Sequence, residues 1–190
     1  MIIGLSGYAR SGKDTVAEYL VENYGFVRVA FADSIRDFLL TLNPFVPNAY
    51  FLKDVVEHEG WDVAKSMPYV RKMLQDTGVY ARDNWGAAFW INAAFKHMDK
   101  NCRDSNGELK HIVITDVRFK NEADAISGWV AKNGTLIRVN RPDVKPVNNH
   151  ISEVELDNYS FKHTIDNDSD LFDLNLKVEE LMREFNIPKK

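Results

Sequence analysis

The stretch MIIGLSGYARSGKDT, residues 1–15, decides the fold. Ile2 to Ser6 is a short, apolar, β-rich run, which reads as a buried strand. Gly7 and Gly12 then bracket four residues, and Lys13 follows, giving G-x-x-x-x-G-K. From Lys13 onward Val16, Ala17, Leu20, Val21 and Tyr24 recur at helical intervals until Gly25 supplies a stop. Strand, glycine loop and helix in that order make a phosphate-binding loop. The glycines let the backbone curl so that successive N–H groups point inward. Together with the helix N-terminus those groups bind phosphate oxygens, and Lys13 reaches the β- and γ-phosphates. Arg10 and Ser11 lie inside the loop and can add charge or a hydroxyl, and Thr15 can offer a hydroxyl to an α- or β-phosphate. Asp14 departs from the pattern, because Ser or Thr usually stands there to hold magnesium. A carboxylate beside a triphosphate is unfavourable unless a cation lies between them. Asp14 therefore reads as a ligand of Mg²⁺, directly or through water, or as an acid stabilising the first helical turn.

The rest of the composition narrows the classes. A chain of 190 residues fits one domain with a sizeable core. The net charge of −4 argues against a nucleic-acid polymer as partner. The sole cysteine, Cys102, excludes an internal disulfide framework and a cysteine-based zinc site. Neither a signal-peptide pattern nor a long apolar window is present, so no membrane is expected and the cytoplasm is the expected location. No repeat, linker or Ser/His/Asp triad stands out.

Along the chain, strands alternate with helices. FVRVAFA (26–32) reads as a second strand, with Asp33 or Ser34 capping the helix SIRDFLLTLN that follows. Residues 43–66 carry Pro44, Pro47 and Gly60 and read as an irregular or partly helical insertion. Pro68 opens a helix that Gly78 is expected to stop, and the apolar run 85–98 suggests a buried helix. HIVIT (111–115) is a buried strand. NEADAISGWVAKNG is a helix closed by Gly134, and TLIRVN (135–140) is a further strand. Ser152 and Glu155 have capping-box spacing, and a last strand and an amphipathic helix finish the chain. This alternation implies right-handed βαβ units: an α/β fold, three-layer α/β/α, around a mainly parallel five-stranded sheet. Ligands bind at the carboxyl ends of such strands, so Gly7–Thr15, Asp33, Asp116 and the 141–153 loop fall along one edge.

Several side chains there suit phosphate chemistry. Asp116 follows HIVIT, where a carboxylate would face the magnesium of a phosphate loop, and Arg118 could neutralise a transferring phosphate. Arg36, Arg71 and Arg82 are candidate phosphate clamps, since guanidinium matches phosphate bidentately. Gln75 lies one helical turn from Arg71 on the same face. Trp85 and Trp90 could stack a base, although so apolar a run favours core. Arg138, Arg141 and His150 gather in a late strand and loop of the kind that closes over phosphates. Asn167, after the final strand, can contact a nucleobase or make a turn.

SGYARSGKDT, RKMLQDTG, ITDVRFKNEADA, VNRPDVKPVNNHISE and TIDNDSDLFDLNLKVEEL occur in this order over most of the chain. In that respect the chain resembles the deoxynucleoside monophosphate kinases of tailed bacteriophages, within the nucleoside-monophosphate-kinase group of P-loop NTPase folds. The resemblance implies one kinase domain, 1–190, with a helical acceptor-binding insertion at about 34–100 and a lid at about 141–162. It implies transfer of the γ-phosphoryl of ATP, or dATP, to a deoxynucleoside 5′-monophosphate with Mg²⁺. By position, Gly7, Arg10, Ser11, Gly12, Lys13, Asp14, Thr15 and Asn167 would hold the donor. Asp33, Arg36, Arg71, Gln75, Arg82 and Trp85 would hold the acceptor. Asp14 and Asp116 would hold the metal. Arg138, Arg141, His150 and Glu153 would belong to the lid, with Lys13, Arg71, Asp116, Arg118 and Arg141 serving catalysis. Residues 43–66 are short for the phage enzymes, and Asp33 has no firm counterpart in their pattern. A homodimer is compatible with the sequence.

The nearest rival is another kinase of the same fold, of the dephospho-coenzyme A or phosphomevalonate type. A non-catalytic P-loop switch is disfavoured, because a guanine switch would carry an N-K-x-D-like segment and NDSD at 167–170 lacks the lysine. A nucleic-acid end-processing kinase would need a basic groove that the charge balance does not suggest.

Overall fold

A computed structural model describes residues 1–48, 50–129, 134–146 and 151–190. The sheet has five strands in the order β2-β3-β1-β4-β5, and every pairing is parallel. Its centre is β1 (Ile2–Ser6), buried along its whole length, as expected of a parallel strand covered on both faces. Ile3 pairs with Val113 of β3 (Ile112–Ile114) and with Thr135 of β4 (Gly134–Asn140). The outer strands are β2 (Val27–Val29) and β5 (His163–Asp166).

Helices cover both faces of the sheet, which makes the three layers. On one side α1 (Lys13–Tyr24) and α8 (Leu171–Glu184) bury Val16, Leu20, Val178 and Met182 against Leu5 and Ile137. Each such side chain stabilises the fold by roughly 1.5–3 kcal/mol. On the other side α6 (Lys120–Asp124) runs into a π-turn, Ala125–Trp129. That packing is close: a Cβ on Gly4 would stand 2.7 Å from Ile126 Cδ1.

The chain forms two compact units. The first comprises Met1–Ala30 and Lys96–Lys190 and contains the whole sheet. The second, Phe31–Phe95, is helical. It contains α2 (Phe31–Leu42), α3 (Leu52–Ser66), α4 (Pro68–Trp85) and the start of α5 (Phe89–Asn101). Leu39, Val46, Leu52, Val55, Ala64 and Val70 form its core.

Several local expectations are corrected. The strand at 26–32 is shorter, because Phe31 already begins α2. Asp33 consequently sits in the first helical turn rather than at a cap. Residues 52–66 are helical, interrupted only where Gly60 takes φ 78°, and Asn43 Oδ1 accepts from the Lys53 N–H near the helix start. Gly78 does not stop α4. A lone glycine costs a helix only about 1 kcal/mol relative to alanine, and the buried Trp90 donates its indole N–H to the Gly78 carbonyl at 3.1 Å. The helix ends instead at Gly86, which has φ 106°. Gly134 opens β4 rather than closing the preceding helix. Glu155 does not complete a capping box on α7 (Ile151–Val154), because its carboxylate accepts the Lys120 N–H of α6 at 3.0 Å.

Candidate active site

Residues 7–12 join the carboxyl end of β1 to the first turn of α1. The loop is curled by three positive-φ residues, Gly7 (144°), Arg10 (66°) and Gly12 (105°). Two of these positions admit only glycine. A Cβ on Gly7 would lie 2.3 Å from the Val139 carbonyl oxygen, and one on Gly12 would lie 2.5 Å from Asn167 Nδ2. Asn167, just past β5, donates from Nδ2 to the Ser11 carbonyl at 3.0 Å and so braces the loop from outside.

Inside the loop Lys13 folds back over the backbone. Its ammonium donates to the carbonyls of Gly7 (2.8 Å) and Tyr8 (2.6 Å). Burial, helped by the nearby positive charge of Arg118, lowers its pKa from 10.5 to about 8. Ser11 is 1% exposed, and its hydroxyl is the one buried side-chain polar atom without a partner among the described residues. An orphaned buried hydroxyl costs about 1–3 kcal/mol. A curled backbone, an ammonium and an unsatisfied hydroxyl together fit phosphate oxygens. Asp14 is exposed at the first turn of α1, and Thr15 is half-buried.

Beside this loop, a small polar cleft is lined by Ser6, Gly7, Arg118, Arg138, Ser152 and Glu153, among others. Asp116 is half-buried just past β3. The backbone there is fixed by Glu122, which is 2% exposed and accepts the N–H groups of Arg118 (2.8 Å) and Phe119 (3.1 Å). The Arg118 guanidinium is paired with Glu153. Arg138 lies on β4. It donates to Ser6 Oγ at 3.2 Å and Asp157 Oδ1 at 3.0 Å. Tyr8 donates its hydroxyl to Asp157 Oδ2 at 2.8 Å. Burial, and then that bond, raise the Tyr8 pKa, so the hydroxyl stays protonated. Arg141 is exposed in the loop after β4. His150 lies outside the described residues.

Within the helical unit, Arg36 pairs with Asp33 at 2.8 Å and its guanidinium stands 5.7 Å from the Trp61 ring centre. Arg71 and Gln75 are exposed on one face of α4, and Arg71 Nε donates to the Lys65 carbonyl at 3.4 Å. Arg82 is half-buried. The two tryptophans part company. Trp90 is core at 3% exposed, whereas Trp85 is 52% exposed and stands against Phe89 (4.9 Å between ring centres), Tyr80 (5.8 Å) and Phe38 (6.3 Å). Among the described residues no three His, Cys, Asp or Glu side chains gather as a metal cluster.

The sequence reading missed Tyr8, Asp157 and Glu122, and it gave Glu155 a capping role in place of its contact with Lys120. The Tyr8 pairing is set by topology, with Asp157 149 residues away. Glu122 left a local trace, as an acid in the first turn of a helix.

With the loop's geometry in hand, comparison with known proteins is specific. The family model described as deoxynucleotide monophosphate kinase matches residues 1–62 and 61–178. The chain belongs to this family. A protein of Acanthamoeba polyphaga mimivirus, provisionally named a deoxynucleotide monophosphate kinase, is 34% identical over 169 residues, 82% of each chain. The deoxynucleotide monophosphate kinase of Enterobacteria phage T4 is 24% identical, covering 96% of this chain and 98% of that one. Among solved structures, dephospho-CoA kinase from Campylobacter jejuni aligns with TM-score 0.48 and 11% identity over 96% of both chains. TT1252 from Thermus thermophilus aligns with TM-score 0.46 and 15% identity over 97% of both. As a member of the family, the chain is a nucleotide kinase, a transferase. Among the described residues no helix is long and apolar enough to cross a membrane.

Proposed function

We propose that the protein transfers the γ-phosphoryl of ATP to the phosphate of a deoxynucleoside 5′-monophosphate, with the donor in the phosphate loop and the acceptor taken by the helical unit. One observation carries the donor side: the loop closes on itself around Lys13 and leaves the Ser11 hydroxyl without a partner among the described residues. The Lys13 ammonium has three donors, so a donor phosphate oxygen takes the one that the Gly7 and Tyr8 carbonyls leave, while others satisfy Ser11 and the inward N–H groups. Such transfer asks for positioning and charge stabilisation more than for a strong base.

On the acceptor side Arg71 aligns the monophosphate, Gln75 reads the base from the same face of α4, and Arg36 and Arg82 add charge. Trp85, exposed among other aromatics, offers a ring for the base to stack on. Arg118, held by Glu153 here, and Arg141 spread charge on the transferring group as the segment from about 141 to 162 closes. Magnesium arriving with the nucleotide would take Asp14 and Asp116 as protein ligands, directly or through water, and would screen the donor's charge.

The decisive experiment is a coupled assay of ADP release with common dNMPs and NMPs, dephospho-coenzyme A and phosphomevalonate as acceptors. Turnover with dNMPs is expected. Turnover with a non-nucleotide acceptor alone would overturn the proposal. Arg71→Ala should raise the acceptor KM, and an unchanged KM and kcat would remove Arg71 from the site.

A further inference from the structure

The second residue of the phosphate loop, Tyr8, is tied at both ends. Its backbone carbonyl accepts from the Lys13 ammonium at 2.6 Å and from the Ser11 N–H at 3.2 Å. That carbonyl is therefore one of the two that orient the loop's only lysine. At the other end the phenol donates to Asp157 Oδ2 at 2.8 Å. The second oxygen of Asp157 accepts from Arg138 at 3.0 Å, and Arg138 also donates to Ser6 Oγ at 3.2 Å. The Arg138 guanidinium carbon stands 5.0 Å from the centre of the Tyr8 ring. Ser6 and Arg138 are register partners across β1 and β4.

These contacts close a circuit. It runs from Ser6 along the backbone through Gly7 to Tyr8, across to Asp157, on to Arg138 and back to Ser6. Its sheet side rests on β1, buried along its whole length and paired in parallel with β4. Its one contribution from outside the sheet and loop is Asp157, which follows α7. The Arg138 side chain is 13% exposed and that of Asp157 31%, so water reaches the ion pair mainly from the Asp157 side.

We propose that Asp157 is a positioning residue for donor binding: by fixing the Tyr8 side chain and Arg138 together, it sets the Tyr8 carbonyl that aims Lys13 at the donor phosphates. This rests on the reading that the loop binds ATP. A carboxylate suits the task because its two oxygens can accept from both partners at once. An amide offers one acceptor oxygen and no charge: with that oxygen on Arg138 it meets the phenol only by reversing that bond, and the ion pair is lost.

The test is steady-state kinetics on the full chain, with binding of a non-hydrolysable ATP analogue measured without acceptor. Asp157→Asn should raise the ATP KM and the analogue Kd about five- to tenfold, the size of one ordinary hydrogen bond. The acceptor KM at saturating ATP should stay within twofold. Tyr8→Phe should give a similar rise, and the double variant Tyr8→Phe/Asp157→Asn little more than either single change. Asp157→Glu should recover part of the affinity. Unchanged ATP KM in Asp157→Asn would overturn the proposal. So would effects of the two single changes that add fully, or equal rises in donor and acceptor KM with a fall in Tm, which mark general loosening. If the folded wild-type protein fails to bind the analogue, the donor-site reading falls and takes this proposal with it.

Discussion

Lys13 ties ATP binding to pH in a way that can be worked through. Its pKa of about 8, against an ordinary 10.5, comes first from burial and then from the positive charge of Arg118. In the ligand-free protein the ammonium is then about three-quarters populated at pH 7.5 and about one-tenth at pH 9. Donor phosphates favour the charged form, so binding at pH 9 takes up close to one proton. The Kd for ATP should rise roughly eightfold between these pH values, or ~1.2 kcal/mol. The sign is opposite for the stability of the free protein. A lowered lysine pKa means the unfolded chain holds more protons between pH 8 and 10.5, so this group's contribution to stability rises with pH across that window. Calorimetry in EDTA, at pH 7.5 and 9, in two buffers of different ionisation enthalpy, reads both affinity and proton uptake. Lys13→Arg, whose side chain stays charged throughout, should show a flat Kd over the same interval. A flat wild-type Kd, or an equal slope in Lys13→Arg, would refute the reasoning.

Three further outcomes are expected. Gly7→Ala should lose about 3 kcal/mol or more by urea unfolding, because the position combines φ 144° with a backbone oxygen 2.3 Å from the new Cβ; near-wild-type stability would mean the loop can shift aside. Trp90→Ala should cost about 3–5 kcal/mol and Trp85→Ala under about 1 kcal/mol, matching their 3% and 52% exposure, while Trp85→Ala should raise the acceptor KM. Equal stability losses would contradict the burial assignment. Glu122→Leu should lower stability by about 1–3 kcal/mol or more in thermal unfolding, since one buried carboxylate oxygen accepts the N–H groups of Arg118 and Phe119 and leucine leaves both without it.

The elements legible in the sequence were those governed by local rules. An unbroken apolar strand, a glycine pair at fixed spacing and a helical stripe ending in glycine made MIIGLSGYARSGKDT readable, and the alternation beyond it implied a parallel sheet. Local rules failed where tertiary contacts outweigh propensity. Gly78 looks like a stop, but Trp90 packs across it and α4 continues. Gly60 does break its helix, because it adopts φ 78°. Asp157 lies in a stretch with no motif of its own, and only the alignment of β1 beside β4 brings Tyr8 and Arg138 to it. Arg118 read as a cation for a transferring phosphate, and its pairing with Glu153, a residue 35 positions away, left no sign in the sequence.

The phosphate loop is braced by Asn167, which is 156 residues further along the chain than the Ser11 carbonyl it holds. During synthesis the loop therefore waits for its brace. At about 5–20 residues per second the delay is roughly 8–30 s. For roughly the first two-thirds of it β1 also lacks both neighbours, since β3 and β4 begin at Ile112 and Gly134. An apolar strand without partners for that long is a target for chaperones and for self-association. The part of the chain most easily recognised by its letters is thus among the last to acquire its working shape.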